Sequence, residues 1–424
     1  MPDFASGPSW LKLKSRIASN PWVAGARESL AGRPAPHPPW LDNRFDSLEG
    51  LLHANEDGCW QTSAGGWLRW SALNVRCINQ QPVTLPWWWY RDFAYPPLSL
   101  VVLHGALACR HDAVQSGLEP PLYGSIWSAD GVRVTGVDRM SDADEELAQH
   151  VVAEARRQAR LQPGTFFYLG WLANHYGHFL LESLSHVWPF SASMLGDRPV
   201  RLVAFSMDPD PFFGSPTEAL NTTLGRLGID LGQVLPIYEP VVFERLIIPT
   251  PSFYLGRKVH ATPAHVSVWD AVQHNGYAEP TRAVYLSRKR YSLWGKIRRP
   301  MRNEQDVEDI FRRHGYEIVY PETLSFADQL ALYGQCAVIA GAMGSNVHNT
   351  GFMPPGAQSL ILAPTSFLTN YTDVLINGPK GNTTNYFLVN AQGVTFDSQE
   401  SWAVNVAELE RCLSTVPAGL SQQP

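Results

Sequence analysis

The sequence predicts an α/β protein made of two halves, and three observations predict it. In the C-terminal part of the chain, short apolar strands alternate with helices of 3.6-residue periodicity, the pattern of a parallel, doubly wound sheet. A looser version of the same alternation runs through the middle of the chain. Between the two lies a stretch broken by Pro251, Pro263 and Pro280, which reads as a linker and hinge. Two such halves would face each other across a cleft, and 424 residues leave room for separate cores.

Residues 1–97 read as an N-terminal extension, helical at first and then aromatic-rich. Trp10, Leu11, Leu13 and Ile17 interleave with Lys12, Lys14 and Arg16, a short basic amphipathic pattern that packs on the body or touches a membrane surface. Prolines cluster over 34–39. Trp87-Trp88-Trp89-Tyr90 cannot all face one core, so some of these rings line a groove or partner surface, on which sugars stack well.

The first α/β half spans 98–262, with strands expected at 98–103, 165–169, 200–205 and 241–248. Its helices are expected near 142–161, 177–191 and 216–227. The hinge is placed at 263–282 and the second half at 283–400. In that half, strands are expected at 283–286, 316–320, 337–340 and 359–362. One helix starts at Asn303, carries the stripe Val307, Ile310 and Phe311, and ends at Gly315. Another starts with the capping-box-like pair Ser325 and Asp328 and reaches about 335. A third follows the glycine-rich turn, near 345–352. Residues 401–424 form a C-terminal helix and tail.

Composition narrows the function classes. An apolar fraction of 45% with 17% charged residues is that of an ordinary soluble globular protein, and a net charge of −6 gives no reason to expect nucleic acid as partner. The five cysteines are odd in number and show no metal-ligand spacing, so they read as reduced thiols in a cytoplasmic protein. No apolar run is long enough to span a membrane.

Two clusters carry chemistry. Asn174-His175-Tyr176-Gly177-His178-Phe179-Leu180-Leu181-Glu182 puts an amide, two imidazoles and a carboxylate at the mouth of a helix. His178 and Glu182 are four apart, so on a helix they share a face, and a carboxylate beside an imidazole is how a general base is built. The same pattern also fits a plain helix start capped by Asn174. In the second cluster, Gly341-Ala342-Met343-Gly344-Ser345-Asn346 follows a buried strand and opens a helix, a place where backbone N–H groups attract phosphate. It equally fits a tight connection. Ser287-Arg288 ends a strand at the same carboxyl edge, where doubly wound sheets bind ligands. The run 288–302 holds seven Lys or Arg and no acid, which suits an anionic ligand or a solvated loop. His175, His178 and Glu182 lack a firm third ligand, so no metal site is expected. Asp208-Pro209-Asp210 matches an acidic metal motif only as a string and reads as a loop.

These blocks together resemble glycosyltransferase family 61, the capsular polysaccharide biosynthesis family, and among its members the bacterial type. The matching pieces are Asn174-x3-His178-Phe179-Leu180-Leu181-Glu182, Val284-Tyr285-Leu286-Ser287-Arg288 and Arg299-x3-Asn303-Glu304. They continue with Tyr320-Pro321-Glu322-x-Leu324-Ser325-Phe326-x2-Gln329, Gly341-Ala342-x-Gly344-Ser345-x2-His348-Asn349 and Phe352-Met353-Pro354-Pro355-Gly356-Ala357. The resemblance implies a GT-B architecture, two Rossmann-like domains with the donor held mainly by the second. It further implies inverting transfer from a nucleotide sugar without a metal or other cofactor. Two positions depart from the family pattern: Met343 replaces a histidine, and Ile361 replaces a glutamate suited to a ribose contact.

The expected function is an inverting, metal-independent glycosyltransferase of surface polysaccharide biosynthesis, acting in the cytoplasm with peripheral contact to the inner membrane. Its partners are a nucleotide sugar and a glycan or glycolipid acceptor. His178 is the expected base, oriented by Glu182, with Glu182 itself as the alternative base and Asn174 beside them. Ser287, Arg288, Arg299, Gly341, Gly344, Ser345, Asn346 and Asn349 are the expected donor-binding residues. Two rivals remain: a pyruvyl-type transferase on a similar scaffold, and a non-catalytic subunit that binds glycan or nucleotide.

Overall fold

The computed structural model describes residues 42–79, 90–110, 124–134, 149–173, 176–195, 200–206, 218–255, 259–273, 276–292, 299–367, 371–391, 394 and 400–415. The basic N-terminal pattern, Trp87 to Trp89, Asn174, His175, the 208–210 string and residues 293–298 of the basic run lie outside them. Among the described residues the chain is α/β, with two large sheets.

The C-terminal sheet meets the sequence expectation most closely. Its six strands are ordered Glu317–Val319, Arg282–Leu286, Cys336–Ala342, Gln358–Pro364, Thr383–Val389 and Val75–Cys77, all parallel. Cys336–Ala342 is buried along its whole length and Gln358–Pro364 at every residue but its first, as in a parallel sheet covered on both faces. The last strand comes from the aromatic-rich extension, which the sequence reading left outside both sheets. Asn79 fixes it there, its side chain bonding the backbone N–H and C=O of Leu388.

The N-terminal sheet is mixed rather than doubly wound. Val241–Pro249, Arg160–Leu172, Arg201–Ser206 and Val234–Ile237 run parallel. Ser99–Arg110, twelve residues long, pairs antiparallel with Val241–Pro249, Gly58–Gln61 and Gly124–Trp127. Antiparallel neighbours need no crossover helix between them.

The proline-rich segment carries a helix. Pro263 starts the helix Pro263–Gln273, a position where proline's missing N–H costs nothing. Trp269 of this helix is buried against Gly351 and hydrogen-bonds the Leu180 carbonyl at 3.4 Å. Gln273 bonds the carbonyls of Leu330 and Phe352 at 3.1 and 2.5 Å. The Lys380 ammonium reaches Asp270 at 2.9 Å and the Gly351 carbonyl at 2.7 Å. One large apolar cluster includes residues from both sheets, among them Val102, Phe167, Ile339 and Ile361.

Local signals decide the element ends. The Ser325 hydroxyl accepts the Asp328 N–H at 3.1 Å and opens Phe326–Tyr333, as the sequence predicts. Glu304–Arg313 ends at Gly315 as expected, but Asn303 does not cap it. Its amide instead pairs with both backbone groups of Val404, at 2.9 and 3.0 Å. The C-terminal helix Val406–Thr415 packs on the same helix, and Arg313 pairs with Glu410. All five cysteines are free thiols. Among the described residues no helix is long and apolar enough to cross a membrane.

Candidate active site

Strand Arg160–Leu172 delivers the first cluster. Its register against Arg201–Ser206 shifts between Tyr168 and Trp171, and Gly170 has φ +89°. A Cβ on Gly170 would stand 2.6 Å from His186 Nδ1, so only glycine lets the following chain fold back this closely. The Ser183 hydroxyl accepts the Ala173 N–H at 2.9 Å and closes the loop between them. The helix Tyr176–Leu181 follows, with Gly177, Phe179, Leu180 and Leu181 buried and His178 turned outward.

On this helix His178 Nδ1 hydrogen-bonds Glu182 Oε2, the contact expected from their spacing. The imidazole is 25% exposed and the carboxylate 12%. Glu182 fixes the tautomer, leaving the other ring nitrogen of His178 as the proton acceptor when the ring is neutral.

Buried imidazoles anchor the chain after the pair. Ser252 Oγ lies 2.8 Å from His265 Nδ1 and donates to the Ser185 carbonyl, while Ser185 Oγ lies 2.8 Å from His186 Nδ1. Burial pushes both imidazoles down to about 3, so they are neutral fixtures and not acid–base groups near neutrality.

The second cluster is built at the carboxyl edge of the C-terminal sheet. Gly344 has φ +150°, in the region that favours glycine, and a Cβ there would lie 3.5 Å from Arg288 Nη1 and 3.8 Å from Arg299 Nη2. Two guanidinium groups therefore converge on one glycine. The helix after the turn is only the six-residue 3₁₀ segment Val347–Phe352, so positive charge here comes from the arginines more than from a helix dipole.

Buried acids set the position of Arg288. The Ser287 hydroxyl donates to Glu308 Oε1 at 2.7 Å, and the Arg288 N–H donates to Glu304 Oε1, also at 2.7 Å. Glu304 and Glu308 are 5% and 1% exposed, and burial raises Glu304 above the usual carboxylate range. Arg299 has φ +55°, strained for a side-chain-bearing residue. The C-terminal segment holds it: Trp402 Nε1 donates to the Arg299 carbonyl at 3.0 Å, and the Trp402 N–H to the Pro300 carbonyl at 3.1 Å.

The expected donor residues thus divide. Arg288, Arg299, Gly344, Ser345 and Asn346 come together at the turn. Asn346 Oδ1 is buried without a hydrogen-bond partner among the described residues, 3.5 Å from a Cβ on Gly344, an acceptor suited to a ligand hydroxyl. Ser287 is 1% exposed and its hydroxyl faces the two glutamates. At Gly341 a Cβ would meet Val347 Cγ1 at 3.0 Å and the Leu286 carbonyl at 3.2 Å, so glycine allows close packing behind the turn. Asn349 is 1% exposed and spends its amide internally, bonding Tyr176 Oη, Tyr333 Oη and the Asn346 carbonyl. That network joins the helix of the first cluster to the turn of the second. Burial raises the Tyr176 phenol, which stays a neutral donor in it.

The two departures in sequence are both core positions. Met343 is 4% exposed and Ile361 fully buried, in the same apolar cluster. A ribose passing that strand would meet no side chain from position 361. A different imidazole–carboxylate pair lies nearby, unforeseen from sequence: His348 Nδ1 is 3.0 Å from Asp373 Oδ1. Twenty-five residues separate the two, so no local spacing announces them.

Residues 176–360 match the family model described as Glycosyltransferase 61. Over those residues the chain is similar to glycosyltransferase family 61. The matched stretch contains His178, Glu182, Arg288, Arg299 and the Gly344 turn. That similarity points, in general terms, to a sugar donor and an acceptor. A search of curated proteins gave no match.

Proposed function

We propose that the protein is an inverting, metal-independent glycosyltransferase that moves a sugar from a nucleotide sugar to a glycan or glycolipid acceptor. The convergence of Arg288 and Arg299 on Gly344 carries this reading. A leaving nucleoside diphosphate needs fixed positive charge where its own charge develops, and two guanidinium groups supply it without a divalent ion. Asn346 Oδ1 would take a hydroxyl of the donor beside them.

The reaction is one in-line displacement. The acceptor hydroxyl gives its proton to Nε2 of His178 while its oxygen bonds the anomeric carbon. The bond from that carbon to the diphosphate breaks on the opposite side, and the diphosphate leaves with the electron pair. Glu182 steadies the imidazolium that results. A GT-B arrangement, with the acceptor on the N-terminal side and the donor on the C-terminal sheet, accommodates this geometry. We assign the reaction to surface polysaccharide synthesis on the cytoplasmic side of a membrane.

The deciding experiment is calorimetric titration with uridine, guanosine, cytidine and adenosine diphosphates, on the parent protein and on Gly344→Val. A valine there adds a branched side chain between the two arginines at a φ it rarely adopts. We expect one diphosphate to bind the parent and none to bind the variant. A folded Gly344→Val protein that binds like the parent would remove the diphosphate from this turn.

A further inference from the structure

We propose that His348, held in place by Asp373, binds the ribose of the nucleotide donor, an inference that rests on the nucleotide-sugar reading above. The topology points there first. The Gly344 turn follows Cys336–Ala342, and Gln358–Pro364 is its parallel neighbour, with Gly341 opposite Ile361. In doubly wound sheets a diphosphate on a glycine turn sends its ribose towards the carboxyl end of the adjacent strand, where a polar side chain receives it. Beyond that end the chain enters the helix Thr372–Asn377, which carries Asp373.

Position 361 cannot supply the polar group, being an isoleucine sealed in the core. His348 can. It lies four residues past Gly344, and its side chain is 11% exposed while that of Asp373 is 1% exposed. The ring therefore meets the solvent side and the carboxylate stands behind it. With Nδ1–H donated to Asp373, the neutral ring presents Nε2 as an acceptor, the complement of a ribose O–H. Asp373 Oδ2 is buried with no hydrogen-bond partner among the described residues. A pair serving the fold alone would be expected to have both carboxylate oxygens satisfied. Asp373 is a positioning residue here, and His348 the residue that touches the ligand.

The test compares the four nucleoside diphosphates with their 2′,3′-dideoxy forms and with inorganic pyrophosphate, by calorimetry on the parent, His348→Phe and Asp373→Asn. We expect the best-bound diphosphate to lose about tenfold in affinity when the diol is removed, the scale of one good hydrogen bond. In His348→Phe that difference should vanish while pyrophosphate affinity stays within about twofold, which also certifies that the variant is folded. Asp373→Asn should shrink the difference, and in the parent the ¹⁵N resonance of His348 Nε2 should move with the diphosphate but not with its dideoxy form. A His348→Phe protein that still discriminates tenfold overturns the inference and leaves the nucleotide-sugar reading standing. A parent that binds pyrophosphate but prefers no nucleoside diphosphate over it overturns both.

Discussion

Two of the imidazole–carboxylate pairs, His178–Glu182 and His348–Asp373, are built in opposite ways. His178 and Glu182 sit four residues apart on one helix, so a single turn of backbone makes the pair. His348 and Asp373 come from separate elements at the edge of the parallel sheet and meet only because neighbouring strands bring their following segments together. The first pair is the more exposed, 25% and 12% against 11% and 1%. The difference teaches where each can act. A locally built, open pair suits proton transfer to an incoming acceptor, whereas a deeply backed imidazole suits fixed recognition.

The sharpest way to break the comparison is to remove the exposed imidazole. His178→Ala should lower turnover by about 10²–10⁴-fold while nucleoside diphosphate affinity is nearly unchanged, the effect of losing a general base. Steady-state rates beside calorimetric affinities check it, and near-normal turnover would leave the first pair a structural one.

Next comes the core position beside the second pair. Ile361→Glu places a carboxylate in the apolar core, on the strand position paired with Tyr386, and should cost about 3–5 kcal/mol of stability, as for a buried unpaired charge. Urea unfolding measures it. A glutamate tolerated at position 361 would mean that the strand faces a ligand after all.

A pH series separates exposed from buried imidazoles. His186 and His265 have folded-state values near 3, against about 6.5 when unfolded. Below 6.5 the unfolded chain takes up protons that the folded chain refuses, so their contribution is complete above that pH and falls away as the pH drops towards 3. Between pH 7 and pH 5 each should cost about 2 kcal/mol of stability. Unfolding at the two pH values should show the loss, and His265→Gln should reduce its slope by about one proton. An unchanged slope would place His265 in contact with water.

An effect of similar size belongs to the charge at the turn. Arg288→Ala should weaken nucleoside diphosphate binding by about 1.5–3 kcal/mol, the range for hydrogen bonds to charged groups, and monophosphate binding by less. Equal losses for both ligands would put Arg288 away from the second phosphate.

Sequence alone determined what depends on neighbours within a turn or a strand. It placed the His178–Glu182 pair, the Ser325 cap and the parallel alternation of the C-terminal half, because spacing and handover points follow local geometry. Tertiary structure decided the rest. Ser287 and Asn349 carry the chemistry of ligand residues, yet burial turned them inward to satisfy glutamates and tyrosines. Val75–Cys77 completes a sheet more than three hundred residues away, and Trp402 sets the backbone of Arg299 from near the end of the chain. The expected hinge became a packed helix because Trp269 and Gln273 had partners on both sides. Burial and pairing over such distances leave no periodic trace along the chain, since packing selects partners by shape and unmet hydrogen bonds rather than by order in the sequence.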